Sequence, residues 1–259
     1  MSVLKLYGIP LSQPFRSVAW TLLQLGVKFE VKMAVPGMSG KMGSKNEVYA
    51  NLTPHGHTQV PLLVDGDVAI SESPAIMAYV CERYGNGRLY APSGTTQKAL
   101  VDSYLHWHHT GTRQLARPFA CKVRPDLKYE LTQKEEERIQ HVLKTIDSGW
   151  LKTSPWIAGS PTPTIADILC FGEVSTVMLT NLVDLQESSS YYPNLKEWTQ
   201  RMAELPYYKE SHMALMTLGD LSQENDPKAI QKKLGGATKA GLDALKSAQE
   251  GFDEPHSKL

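Results

Sequence analysis

Three helix starts and one loop carry the residues that could do chemistry. Ser12 stands in the run YGIPLSQPFRSVAW (7–20), between a strand-like segment and Pro14. A helix start gathers unpaired backbone N–H groups and partial positive charge, so it welcomes an anion. Serine there is either the ordinary N-cap or a hydroxyl donor to a bound anion. Glu72 and Ser73 open a second helix, SPAIMAYVCERY, again as cap and first-turn acid or as binding groups. Lys41 and Lys45 lie in PGMSGKMGSKN, a Gly- and Ser-rich loop that could present a cation. Thr164-Ile165-Ala166-Asp167 is an S/T-x-x-D capping box, a structural device. His106 and His109 share a helix face, but there is no HExxH and no carboxylate set as a third ligand, which argues against zinc. Cys81, Cys121 and Cys170 are far apart without a CxxC, so they read as small buried hydrophobes in a reducing compartment.

The elements that must hold these groups follow from periodicity. Val3, Leu4, Leu6 and Tyr7 read as a strand, and Pro14–Leu25 as a helix. Pro14 suits the first turn and Gly26 the stop. KFEVKMAV alternates as a second strand. QVPLLVDGDVAIS reads as two short strands around the turn signal Asp65-Gly66. Ser71 or Glu72 then opens the helix that ends near Gly85. The order β-α-β-loop-β-β-α predicts a small mixed sheet with helices packed on it. From Gln97 to about Leu221 the apolar spacing is helical, as in Ile139, Val142, Leu143 and Ile146. The expected division is residues 1–84, a linker over 85–96, an all-helical domain over 97–222, and a polar tail over 223–259 holding one or two short helices. Strands and helices in the first part, helices alone in the second, give an α/β domain followed by an all-α domain.

Composition narrows the class. With 27 Lys and Arg against 27 Asp and Glu, the net charge is zero, which argues against a nucleic-acid footprint or a basic membrane surface. No apolar run approaches the ~18–20 residues of a membrane span. The start, VLKLYGI, lacks a secretory layout.

Together, LSQPFR, the run from QVP through LLVDGD to SESPAI, YLHWHHTGTR and PTPTIADI resemble the cytosolic glutathione transferases, and within them the serine-type theta class. The resemblance covers about residues 2–222. It implies a thioredoxin-like N-terminal domain, a helical domain that supplies an electrophile pocket, and a homodimer. It implies glutathione as co-substrate, and no metal.

The resemblance assigns Ser12 as the donor to the glutathione thiolate. A free thiol titrates near ~8.5, and lowering that by about two units needs roughly 2.7 kcal/mol. A hydroxyl hydrogen bond to a charged group supplies about 1.5–3 kcal/mol. Tyr7, the position rival classes use, reads as core or wall. In the family the bond before the equivalent proline is cis, which exposes the backbone of Val60 to the cysteinyl residue. Gln13 and Gln59 flank these contacts. This chain has two residues more between Gly56 and Pro61 than the family pattern Asn-Pro-x-Gly-x-Val-Pro. Glu72 and Ser73 are assigned the γ-glutamyl ammonium and carboxylate, Lys41 or Lys45 the glycyl carboxylate. Arg113 is assigned the electrophile side, with a salt bridge as its bland alternative. Thr110 replaces an acid that theta members use toward the partner subunit.

The implied reaction is thiolate attack on small electrophiles and organic hydroperoxides. The alternative is a non-catalytic binding or assembly module on the same fold; a thiol–disulfide oxidoreductase would need a cysteine that position 12 lacks. The closing Ser257-Lys258-Leu259 matches the tripeptide read by the peroxisomal import receptor, so peroxisome, cytoplasm or both are expected.

Overall fold

The computed structural model describes residues 3–183, 185 and 192–252. Ser257-Lys258-Leu259 lies outside them.

The N-terminal part is built on a four-stranded sheet in the order β2-β1-β3-β4. β1 (Leu4–Gly8) pairs parallel with β2 (Phe29–Met33) and antiparallel with β3 (Leu62–Asp65), which forms a hairpin with β4 (Val68–Ser71). The hairpin loop is Gly66-Asp67, one residue later than the turn signal. Asp65 still pairs with Val68, and Gly66 takes the positive φ of 59°. Period-2 alternation sorts β1. Leu4 and Leu6 are fully buried in the main core with α1 (Gln13–Leu25) and α3 (Ser73–Tyr84). Tyr7 faces the other side, edge-on to Tyr49 of α2 (Glu47–Leu52), with ring centroids 5.8 Å apart. The arrangement is thioredoxin-like. The sequence reading left α2 within a loop, because six residues carry too little periodicity to announce a helix.

Residues 85–95 connect to the helices. These are α4 (Thr96–His108), α5 (Ala116–Val123), α6 (Gln133–Thr145), α7 (Ile165–Leu179), α8 (Pro193–Ala203), α9 (Tyr208–Leu218) and α10 (Pro227–Ser247). α7 is the axis of the molecule and is buried from Ile165 to Val177. Its capping box forms as expected, with Thr164 as N-cap and Asp167 reaching back to the Thr164 N–H at 2.9 Å. α1 packs directly on α7 across the two halves. At Gly172 an added Cβ would come within 2.4 Å of the Ser17 hydroxyl, so only glycine allows this approach. The tail expectation is corrected: residues 227–247 form one helix of 21 residues rather than one or two short ones. It lies along α9, where Gly241 packs so closely that a Cβ would meet Pro10 and Ala214 at 2.7 and 2.8 Å. No described helix is long and apolar enough to cross a membrane.

Candidate functional site

A cleft of about 1500 Å³ runs between the two halves. Its N-terminal wall is made by helix starts and strand ends; its far wall comes from α5 and α10.

Ser12 is the N-cap of α1 by backbone geometry, with φ −74° and ψ 124°. Its carbonyl accepts the first helical bond from the Arg16 N–H at 3.0 Å, and its own N–H donates to the Ile9 carbonyl at 3.0 Å. Its hydroxyl makes no capping bond. A half-buried serine at a helix start with an unengaged hydroxyl on a cleft is a donor waiting for an acceptor. Gln13 follows, buried at the first helical position and on the same wall. Tyr7 is not among the residues lining the cleft.

Arg16 holds this turn, and nothing in the sequence reading singled it out. It is buried, and its guanidinium donates to the Leu11 carbonyl at 2.9 Å, to the Pro10 carbonyl at 3.3 Å and to the Gly172 carbonyl at 2.8 Å. Thr176 on α7 accepts a fourth bond. The two residues before Ser12 are therefore fixed to the axis helix. Burial pulls the Arg16 pKa down to about 9, so the side chain remains a cation at neutral pH. Its signal in the sequence was an arginine within an otherwise apolar helix face.

The Val60–Pro61 bond is cis. The sheet ladder starts only at Leu62, which leaves the Val60 backbone outside it and at the cleft. The adjoining Gln59 carbonyl is held by the Tyr49 hydroxyl at 2.6 Å. Across from these, Glu72 caps α3 backbone-wise at φ 68°, a conformation that L residues adopt at a cost of about 1–3 kcal/mol. Its side chain makes no capping bond and stays exposed at the cleft. Ser73 is buried beside it, at the helix start. An unpaired acid and a helix N-terminus thus sit side by side, complementary to an ammonium and a carboxylate on one ligand.

The two loop lysines separate. Lys45 lines the cleft. Lys41 is exposed and is not among the lining residues; nearby, the Asn46 side-chain amide donates to the Lys41 and Gly43 carbonyls at 3.1 and 2.7 Å.

Arg113 lines the cleft half-exposed and donates to the buried Glu173 of α7 at 2.8 Å. Glu173 is a carboxyl in the core whose pKa burial pushes up and Arg113 pulls back. His108 Nε2 lies 3.9 Å from the same oxygen. Burial first, then Arg113 and His109, lower the His108 pKa to about 3, so it is a neutral ring and no ion pair. His106 and His109 are exposed while His108 is buried. Among the described residues no group of three or more His, Cys, Asp and Glu side chains could hold a metal ion.

Residues 6–88 match the family model for the glutathione S-transferase N-terminal domain, and residues 115–206 match that for the C-terminal domain. The chain is similar to glutathione S-transferase 1 of Manduca sexta, 30% identical over 81% of this chain and 92% of that one. It is also similar to glutathione S-transferase T3 of Arabidopsis thaliana, 27% identical over 91% of this chain; it spans only 41% of that relative's length. Among solved structures, human glutathione transferase theta-2 in complex with glutathione and an unknown ligand shares the fold. The TM-score is 0.72 at 19% identity, covering 96% of this chain and 100% of that one.

Proposed function

Because the chain belongs to the glutathione S-transferase family and is theta-like within it, we propose that its cleft binds glutathione and that Ser12 stabilises the thiolate for attack on a second substrate. The observation that carries this is the Ser12 hydroxyl: placed at a helix start, on the cleft, and without a capping bond to its own helix. The serine acts as a donor, not as a base. The thiol proton leaves to solvent and the hydroxyl donates to the sulfur anion, helped by the first-turn N–H groups of α1.

The remaining wall offers a complement to each end of the tripeptide. Glu72 faces the γ-glutamyl ammonium, and Ser73 with the start of α3 its carboxylate. The Val60 backbone pairs with the cysteinyl residue, with Gln13 and Gln59 beside it. Lys45 takes the glycyl carboxylate. The electrophile then occupies the space toward Arg113, Phe119 and Leu234, where apolar wall and a half-exposed guanidinium suit a small hydrophobic molecule with a leaving group that gathers negative charge.

Organic hydroperoxides are the second substrate class in this proposal. The thiolate attacks the outer peroxide oxygen; the O–O bond breaks, the alkoxide takes a proton and leaves as alcohol, and glutathione is left as sulfenic acid. A second glutathione displaces water from it, giving the disulfide. Purified protein should conjugate a small halide or epoxide and also turn over cumene hydroperoxide with glutathione. Conjugation without hydroperoxide turnover removes the peroxidase part. Glutathione binding with neither activity favours the non-catalytic module.

A peroxisomal location belongs to the same proposal and rests on Ser257-Lys258-Leu259. A fluorescent protein extended by the last residues should enter peroxisomes and should stay in the cytoplasm when Leu259 is followed by further residues. Assembly as a homodimer completes the reading, and light scattering would decide it.

A further inference from the structure

Arg124 follows α5 at the mouth of the cleft and reaches across it. Its Nη1 donates to the Pro36 carbonyl at 2.8 Å. Its Nε and Nη2 chelate the Asp126 carboxylate at 2.8 and 2.7 Å. A bidentate pair of this kind fixes the plane of the guanidinium, so the third bond is aimed rather than incidental. Gly37 is fitted to it: its φ is +73°, and an added Cβ would stand 2.8 Å from Arg124 Nη2. Glycine is favoured there by the positive φ.

The contacted segment is a self-contained loop. The Ser44 N–H donates to the Val35 carbonyl at 2.9 Å, the Val35 N–H to the Met42 carbonyl at 2.7 Å, and the Lys45 N–H to the Met38 carbonyl at 2.9 Å. The Ser44 hydroxyl accepts from the Gly37 N–H at 2.9 Å. These bonds tie residues 35–45 to one another. Among the described residues, the Arg124–Pro36 bond is the hydrogen bond that joins that piece to the helical half. The far end of the piece carries Lys45. Pro36, Gly37, Lys45, Arg124 and Asp126 all line the same cleft.

We propose that Arg124 is a positioning residue for glutathione: by clasping the loop at Pro36 and Gly37 it holds Lys45 over the cleft, where Lys45 meets the glycyl carboxylate. This rests on the glutathione reading of the cleft. Arg124 itself touches no reacting atom.

The test is a kinetic cycle of wild type, Arg124→Ala, Lys45→Ala and the double variant, with glutathione varied at saturating electrophile. It is repeated with glutathione whose glycyl carboxylate is an ethyl ester. Loss of a hydrogen bond from a charged group predicts about a tenfold rise in KM for glutathione in Arg124→Ala. The kcat and the pKa of the bound thiol should not move. The double variant should be no worse than Lys45→Ala, because both remove one interaction. With the ester, wild type and Arg124→Ala should give the same KM. An equal KM rise on glutathione and ester, an additive double variant, or a fall in kcat would overturn the proposal. If Arg124→Ala does not fold, Asp126→Asn loosens the same chelate and should show the same dependence on the glycyl carboxylate at smaller size. A wild-type protein that does not bind glutathione sinks the transferase reading instead, and the clasp with it.

Discussion

Replacing Ser12 with alanine should lower kcat/KM about 10- to 100-fold near neutral pH, with the pKa of bound glutathione rising by about one to two units. The figure is that of one hydrogen bond to a charged acceptor. It applies because the Ser12 hydroxyl makes no capping bond to its own helix. The same absence makes the stability expectation unusual. An N-cap serine that bonds the helix contributes about 1 kcal/mol, which for a chain of this size is about 2–4 °C in Tm. Ser12 makes no such bond, so Ser12→Ala should melt within about a degree of wild type. Ultraviolet titration of the thiolate band and a melting curve on the same two proteins decide it. An unchanged thiol pKa with a lowered Tm would make Ser12 a cap and leave the thiolate without its donor.

Replacing Asp167 with alanine should leave the chemistry alone and cost the fold about 4 kcal/mol, or roughly 10 °C in Tm. Asp167 is fully buried, and both its oxygens are in use. Oδ1 accepts from the Ile157 N–H at 2.8 Å and from the Trp198 indole at 2.9 Å. Oδ2 accepts from the Thr164 N–H at 2.9 Å and its hydroxyl at 3.1 Å. Alanine would strand four buried donors from three separate segments. The carboxyl also marks the pH profile. Burial raises its pKa to about 6, with the four donors pulling the other way. The unfolded chain gives up this proton near pH ~3.9, the folded chain only near 6. Over that window the folded state binds more protons, so this contribution is complete below about pH 4 and is lost as pH rises through about 6. Asp167→Asn should remove that slope, which denaturant titrations at about pH 4, 5 and 6 would measure. A slope that persists in Asp167→Asn would assign it to another group.

What was legible in the sequence was local. Ser12 with Pro14 announced a helix start because its cues lie within a few residues. So did Thr164 with Asp167, although the capping box did not reveal that Asp167 also ties down Ile157 and Trp198. Glu72 and Ser73 were readable as a helix start, but the positive φ of Glu72 was not. The groups that were missed have distant partners. Arg16 bonds a residue 156 positions away and Arg124 one 88 away. A charge is legible from sequence only when its partner is a neighbour. α10 was missed for a different reason. Its buried face includes Ala237 and Gly241, small residues that pack by close approach rather than by bulk, and Gly235-Gly236 reads as a stop. Close packing of small groups leaves little trace in hydrophobicity.

Gly172 lets α1 sit against α7 at a distance no other residue allows, and Arg16 drives its charge into that contact. The helix that presents Ser12 is therefore finished on one side by residues that follow it by more than 150 positions in the chain. During synthesis the start of α1 at Ser12 gains these contacts only once the seventh helix has been made. The N-terminal half expressed alone should therefore be less stable than in the full chain, which a melting curve of the two would measure. Activity and global stability should rise and fall together whenever this seam is disturbed, however far the disturbance lies from the cleft.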